Sequence, residues 1–307
     1  MRESIHKYFK VGIVAFMAYP DLLRGECSET EKRLKKILTD DYFDAIEVNW
    51  IKNSDQQKRV AELLQSSHME VCYGAQPRLL TTGFNPNALD ESDRLKAENT
   101  LMQGIDEASQ LGSKGIAFLA GPYAEETREK SYEQLIKTTR NLCRYAETKG
   151  MMVELEVFDF DIAKKSLIGP AALAARFAAD IRTQHSNFGL LIDLSHIPMC
   201  HESSEYVVRT LRPYITHFHI GNTVCTDIHL EGYGDEHQRF GFPGGSNDVA
   251  QVVEFLRVLK QEGFFCADNP YVLSFEVKPW KDEDPDLIIA NSKRVMNRAW
   301  AFLEDER

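Results

Sequence analysis

Four short apolar runs in the second half of the chain each end on side chains that can do chemistry. They are Val153-Glu154-Leu155-Glu156-Val157, Leu191-Ile192-Asp193-Leu194-Ser195-His196, His217-Phe218-His219-Ile220-Gly221 and Ser274-Phe275-Glu276-Val277-Lys278. A charge inside an apolar strand is costly unless it is paired or bound to a metal. Three carboxylates and one imidazole meeting at one place would repel without a cation. Carboxylate oxygen with imidazole nitrogen suits Mn²⁺, Mg²⁺, Co²⁺ or Zn²⁺, with coordination positions left open for substrate. Taken singly, each residue has a plainer explanation. A strand histidine is more often a hydrogen-bonded core residue, and an Asp after a strand is more often a helix cap. The serial appearance of Glu, Asp, His and Glu at four consecutive strand ends favours the set as one divalent-metal site of Glu156, Asp193, His219 and Glu276. Glu156 lies nearer the strand end than Glu154, and His219 nearer than His217. Glu154 is then expected as an ion-pair partner inside the fold.

The elements that must position these residues alternate along the chain. Short β-rich runs fall at Val11–Phe16, Ala45–Val48, Met69–Tyr73, Gly115–Leu119, Met152–Val157, Gly189–Ile192, Ile215–Ile220 and Val272–Val277. Several are nearly continuously apolar, as strands buried on both faces are. Amphipathic stretches lie between them. Ser131-Tyr-Glu-Gln134 reads as a capping box opening a helix that Gly150 stops. Leu95, Leu101, Met102, Ile105, Ala108 and Leu111 mark a second helix between Asp90 and Gly112. A third starts near Asn247 and closes at Gly263, and the last runs from about Pro285 to Phe302. Eight βα units without a compositional break predict a single (β/α)8 TIM barrel over residues 1–307. An open doubly wound sheet would want a Gly-rich first turn, and GxGxxG is absent. The irregular stretch 222–246 is too long for an ordinary βα loop. In a barrel it belongs at the catalytic mouth.

Composition bounds the partners. The 307 residues carry 36 Lys and Arg against 47 Asp and Glu, a net charge of −11, with 43% hydrophobic and 27% charged residues. That is ordinary globular composition with enough length for a large core. The acidic balance argues against nucleic acid and anionic membranes, which need clustered Lys and Arg. Six dispersed cysteines without a CxxC pair point to free thiols in a reducing, cytoplasmic compartment. Basic residues followed by Val11 to Ala18 imitate a secretion signal, but Tyr19-Pro20-Asp21 comes where a small-residue cleavage site should. No apolar run approaches the roughly 20 residues of a membrane helix.

The set Glu156, Asp193-Leu-Ser-His196, His219 and Glu276 resembles the xylose-isomerase-like barrels, which include ketose 3-epimerases, hydroxypyruvate isomerase, inosose dehydratase and endonuclease IV. Glu276-Val-Lys-Pro279 is similar to the E-x-K-P run of hydroxypyruvate isomerases. Tyr233 to Gly241 is similar to a stretch in sugar phosphate isomerase/epimerase members. The resemblance implies one metal on Glu156, Asp193, His219 and Glu276, with His196 of the DxxH motif touching substrate. It departs in two places. Epimerases carry an arginine shortly after the seventh-strand histidine, whereas Asn222 to Thr226 has none; Arg239, or His237 beside it, would take its place. Ile162 occupies the region of their second glutamate. Endonuclease IV needs further histidines on the third and fourth strands, where Tyr73-Gly-Ala-Gln76 and Phe118-Leu-Ala-Gly121 offer no ligand. Asp227-Ile-His229 does imitate its late DxH.

The expected activity is a metal-dependent isomerase or epimerase of a small sugar or hydroxycarbonyl substrate. Glu156 and Glu276 would exchange the proton α to the carbonyl through an enediolate. His196, Lys278, His237 and Arg239 would hold substrate oxygens, and the 222–246 loop, with Tyr233 and Asp235, would cover the site. Lys278 as a core ion-pair partner of a strand carboxylate is the alternative. The same constellation would also serve an inosose-type dehydratase or, less readily, a barrel that only binds a ligand. Homo-oligomerisation stays open.

Overall fold

The computed structural model describes residues 3–305. Its eight strands are β1 (Phe9–Val14), β2 (Ala45–Val48), β3 (Glu70–Tyr73), β4 (Gly115–Leu119), β5 (Met152–Glu156), β6 (Phe188–Asp193), β7 (Ile215–Ile220) and β8 (Tyr271–Phe275). They form one parallel sheet in the order β3-β2-β1-β8-β7-β6-β5-β4. A parallel bridge between Gly74 and Ala117, with Ala75 N–H donating to Ala117 O at 2.7 Å, brings the two ends of the sheet together. The fold is a (β/α)8 barrel. Its main helices are α1 (Thr30–Leu38), α2 (Ser54–Ser67), α3 (Glu91–Gln110), α4 (Arg128–Glu147), α5 (Ala171–Arg182), α6 (Ser204–Leu211), α7 (Val249–Gln261) and α8 (Pro285–Asp305). No helix among the described residues is long and apolar enough to cross a membrane.

Every expected strand is present; β2, β4 and β7 keep the expected ends, and the other five move by one or two residues. β1 starts earlier and stops at Val14, because Ala15–Ala18 turns into a short helix. β2 and β6 are buried at every position, as strands between barrel interior and helix layer should be, with Glu47 and Asp193 buried among their apolar residues.

Local signals set most helix starts. Asp90 accepts from Asp93 N–H at 3.1 Å ahead of α3, and Asn53 accepts from Gln56 N–H at 2.9 Å ahead of α2. Asp248 and Gln251 form a reciprocal cap on α7. Two expectations differ. α4 starts at Arg128, a turn before Ser131, which is buried inside the helix and caps nothing. Arg128, Glu129 and Lys130 are good helix formers and extend the helix outward. In α3, Leu95 is exposed; the buried face runs instead through Arg94, Ala97, Glu98, Leu101, Ile105 and Ala108. Arg94 there donates to Glu98 and to Thr138 Oγ1.

Register places the chemistry. Asp193, the last residue of β6, pairs with His219 of β7, and Ile220 pairs with Phe275, the last of β8. Glu276 follows immediately, its N–H bonded to Ile220 O at 3.0 Å. Glu156 ends β5 opposite Leu119. All four therefore sit at C-terminal strand ends, the catalytic face of such barrels.

Candidate functional site

Glu156, Asp193, His219 and Glu276 are buried, and each offers one ligand atom within 4.8 Å of the others. His219 Nδ1 lies 2.6 Å from Glu276 Oε2 and 3.7 Å from Glu156 Oε1. Parallel pairing of neighbouring strands makes this possible: it aligns Asp193 with His219 and leaves Glu276 one step beyond. Gly221 then permits a close approach. A Cβ at Gly221 would lie 2.6 Å from Glu276 O and 3.1 Å from His237 Nδ1.

The carboxylates are held in place. Gln76, in the short helix after β3, donates its amide to Glu156 Oε2 at 2.7 Å. Ser195 donates both N–H, at 2.8 Å, and Oγ–H, at 2.5 Å, to Asp193. Glu156 Oε1, by contrast, is buried without a hydrogen-bond partner. Buried polar atoms are rarely left so. A donor set of three carboxylates and one imidazole with a free, inward carboxylate oxygen fits a divalent cation.

A second layer adjoins this cluster. His196 Nε2 lies 3.4 Å from Glu156 Oε1 and 3.8 Å from Asp193 Oδ2, and both of its ring nitrogens lack hydrogen bonds. Phe158 packs on the ring at 4.2 Å between centroids. The long loop does reach the mouth: His237 is buried, with Nδ1 3.7 Å from Asp193 Oδ2 and Nε2 2.6 Å from Asp235 Oδ1. Asp235 Oδ1 also faces His196 Nδ1 at 3.6 Å. Asn222 and Thr223, where an epimerase arginine would fall, tie the loop down. Asn222 donates to Arg239 O at 3.0 Å and Thr223 to Gly234 O at 2.8 Å.

The segment after β5 completes this layer. Asp159 accepts from the backbone N–H of Ile162, Ala163, Lys164 and Lys165 at 2.7–3.3 Å, curling the chain. Lys164 then reaches Asp235 at 2.8 Å. The other two expected substrate groups sit in half-exposed ion pairs, Lys278 with Glu236 at 2.5 Å and Arg239 with Glu283 at 2.8 Å. Lys278 thus pairs with a loop carboxylate, whereas Glu154 pairs inside the barrel with His217 at 3.3 Å and Thr216 at 2.6 Å. Asp227 and His229 are exposed, joined only by His229 N–H to Asp227 Oδ1.

Electrostatically the enclosure attracts positive charge. Burial alone would lower its imidazoles, yet neighbouring carboxylates outweigh it. Asp235 foremost raises His196 to about 9 and His237 to about 10. Glu47 foremost raises His217 to about 9, and His219 well above its usual value. Burial also pushes Glu156 up, but His196 and His219 reverse that and hold it down at about 2. Glu276 stays raised, by burial first and then by the charge of Glu156 against the pull of His237 and His219.

Three residues of the site carry little or no signal in the sequence. Glu47 is the lone charge in the apolar run Ala45–Val48, and the cost of a buried charge could have flagged it. Gln76 stands just past a strand end. Nothing local marks Lys164.

The chain matches the family model described as xylose isomerase-like TIM barrel over residues 40–298. It belongs to that family. No curated protein matches it in sequence. This xylose isomerase-like barrel is similar in structure to an L-ribulose 3-epimerase, with TM-score 0.74 and 18% identity over 97% of this chain and 96% of that one. A D-tagatose 3-epimerase-like protein gives TM-score 0.72 and 19% identity over 97% and 99%. The IOLI protein, solved with a zinc atom bound, gives TM-score 0.72 and 16% identity over 96% and 99%. At these identities the likeness establishes the fold.

Proposed function

We propose that this protein is a divalent-metal-dependent isomerase or epimerase of a small sugar or related hydroxycarbonyl compound. The observation that carries the reading is the buried Glu156–Asp193–His219–Glu276 cluster beside a histidine with two unpartnered ring nitrogens. The four would hold one ion of Mn²⁺, Mg²⁺, Co²⁺ or Zn²⁺. When bound, such an ion supplies Lewis acidity that acidifies the C–H bond α to a carbonyl. The ketose 3-epimerases and the zinc-bound IOLI protein among the structural relatives agree with this chemistry.

The chain's own groups would do the rest. Glu156 and Glu276 come from β5 and the end of β8, with β6 and β7 between them in the sheet. One removes the α-proton and the other returns it. Return to the opposite face epimerises; return to the neighbouring carbon isomerises. His196 and His237 hold substrate oxygens from one side. Lys278 and Arg239 reach substrate by exchanging Glu236 and Glu283 for it. The 222–246 loop excludes water.

The reading includes no nucleic-acid substrate. The net charge is −11, and the DxH imitation at Asp227 and His229 is exposed rather than gathered into the cluster.

The test is metal analysis followed by incubation with ketoses and hydroxyketo acids in heavy water. Metal-dependent deuterium uptake at the α-carbon with a new epimer or isomer is expected. Water loss from a cyclic polyol would move the assignment to a dehydratase. Binding without exchange on any substrate would leave a ligand-binding barrel.

A further inference from the structure

The middle of the barrel is filled by charge. β7 turns both His217 and His219 inward, and Glu47 of β2 stands between them. Its Oε1 lies 3.0 Å from His217 Nε2 and 2.9 Å from His219 Nε2. Glu47 is 1% exposed, and β2 is separated from β7 in the sheet by β1 and β8. This is a contact across the barrel, not along it.

A carboxylate accepts and does not donate, so each Nε2 that faces Glu47 carries the proton. That leaves His219 Nδ1 to face the cluster, 2.6 Å from Glu276 and 3.7 Å from Glu156. We infer that Glu47 is a positioning residue that fixes the ring of His219 so that Nδ1, and not Nε2, is presented to a divalent cation. The inference rests on the metal site proposed above and assigns a role to a residue outside its four donors.

Glu47 is anchored in turn. His217 holds the same oxygen, and His217 Nδ1 lies 3.3 Å from Glu154 Oε2. Glu154 takes the hydroxyl of Thr216 on its other oxygen at 2.6 Å. The array Thr216–Glu154–His217–Glu47–His219 therefore links the strand interiors to the cluster. Barrel interiors are ordinarily filled by branched aliphatic side chains. Burying two carboxylates and two imidazoles there stabilises less than apolar packing of similar volume. Orientation of a metal-ligating histidine gives this costly filling a use, since hydrogen-bonded carboxylates fix ligand tautomer and raise ligand basicity.

The experiment has two arms. In the first, zinc is titrated into wild-type protein and into Glu47→Gln by competition with a chromophoric chelator. Glutamine keeps the size and one oxygen for both rings, but its neutral carbonyl accepts more weakly than the charged carboxylate does. The dissociation constant for zinc is expected to rise about 10–100-fold, with the circular dichroism of the ion-free proteins superimposable. The second arm needs no variant: ¹⁵N-histidine NMR of zinc-loaded wild type. His219 should show zinc on Nδ1 and a retained proton on Nε2.

Zinc on Nε2 would overturn the assignment, as would an unchanged affinity in a folded Glu47→Gln. A wild-type protein that binds no divalent ion would remove the metal reading and this inference together. Wild-type binding that the variant keeps would remove this inference alone.

Discussion

Glu156 and Glu276 are asked to do two things, hold an ion and move a proton. Glutamine at either position keeps one oxygen donor and removes the base. With a turned-over substrate in hand, Glu156→Gln and Glu276→Gln should each lose about 10²–10⁴-fold in turnover. Each should lose α-deuterium exchange from one epimer more than from the other. Full turnover in both would make them ligands only and shift the base to His196. Lys164 gives a second prediction at this scale. Methionine there keeps the aliphatic stem and removes the ion pair with Asp235. Metal content should stay at the wild-type level while KM rises several-fold, because Asp235 loses the group that seats it against His196 and His237. An unchanged KM would make the pair ornamental to binding. The clustering of the four donors was legible because each stands at the end of its own apolar run, where one rule picks it out. Glu47 is a charge inside an apolar run rather than at its end, on an early strand with no chemical neighbour in sequence; its partners lie about 170 residues away. Asp235 and His237 were visible as loop residues, but depth in the mouth is not written in a loop's composition.

The strands carry these side chains, and their register is the precise part of the design. Gly221 is where register and chemistry meet. Alanine there would put a methyl 2.6 Å from the carbonyl oxygen of Glu276, and backbone cannot yield as a flexible side chain does. Gly221→Ala should weaken metal binding about tenfold or more, by the sensitivity of ligand geometry to its supports, while the helical circular dichroism stays near wild type. Unchanged affinity would show that β7 and β8 separate without cost to the site. Element identity was legible throughout, since strands buried on both faces and capped amphipathic helices follow from local pattern. The ends were less so. Ser131 satisfies a capping box by spacing, yet Arg128 to Lys130 continue the helix past it. On α3 the buried Arg94–Glu98 pair replaces apolar residues on the inner face, which hides that face from a search for hydrophobic period.

At the scale of the whole molecule, the barrel is a rigid frame that holds a concentration of negative charge at one mouth. The closure between β3 and β4 rests on little more than the Gly74–Ala117 bridge and the Ala75 N–H bond, so pairing elsewhere must fix the ring. An ion joining β5, β6, β7 and the end of β8 would tie four consecutive elements together. It should stabilise the folded state by about 2.7 kcal/mol at one hundred times its dissociation constant. Thermal unfolding should therefore move to higher temperature with added Mn²⁺ or Zn²⁺ and return with chelator. The barrel was legible from eight alternating units, but sequence alone could not say which helices or loops lean over the mouth, because those contacts join segments far apart in the chain. The metal site is tested most directly by calorimetric titration of the chelator-stripped protein with Mn²⁺, beside Asp193→Asn and His219→Ala. One ion per wild-type chain is expected, with binding weakened at least tenfold in both folded variants. No binding to the wild type, or wild-type affinity in both variants, would contradict it.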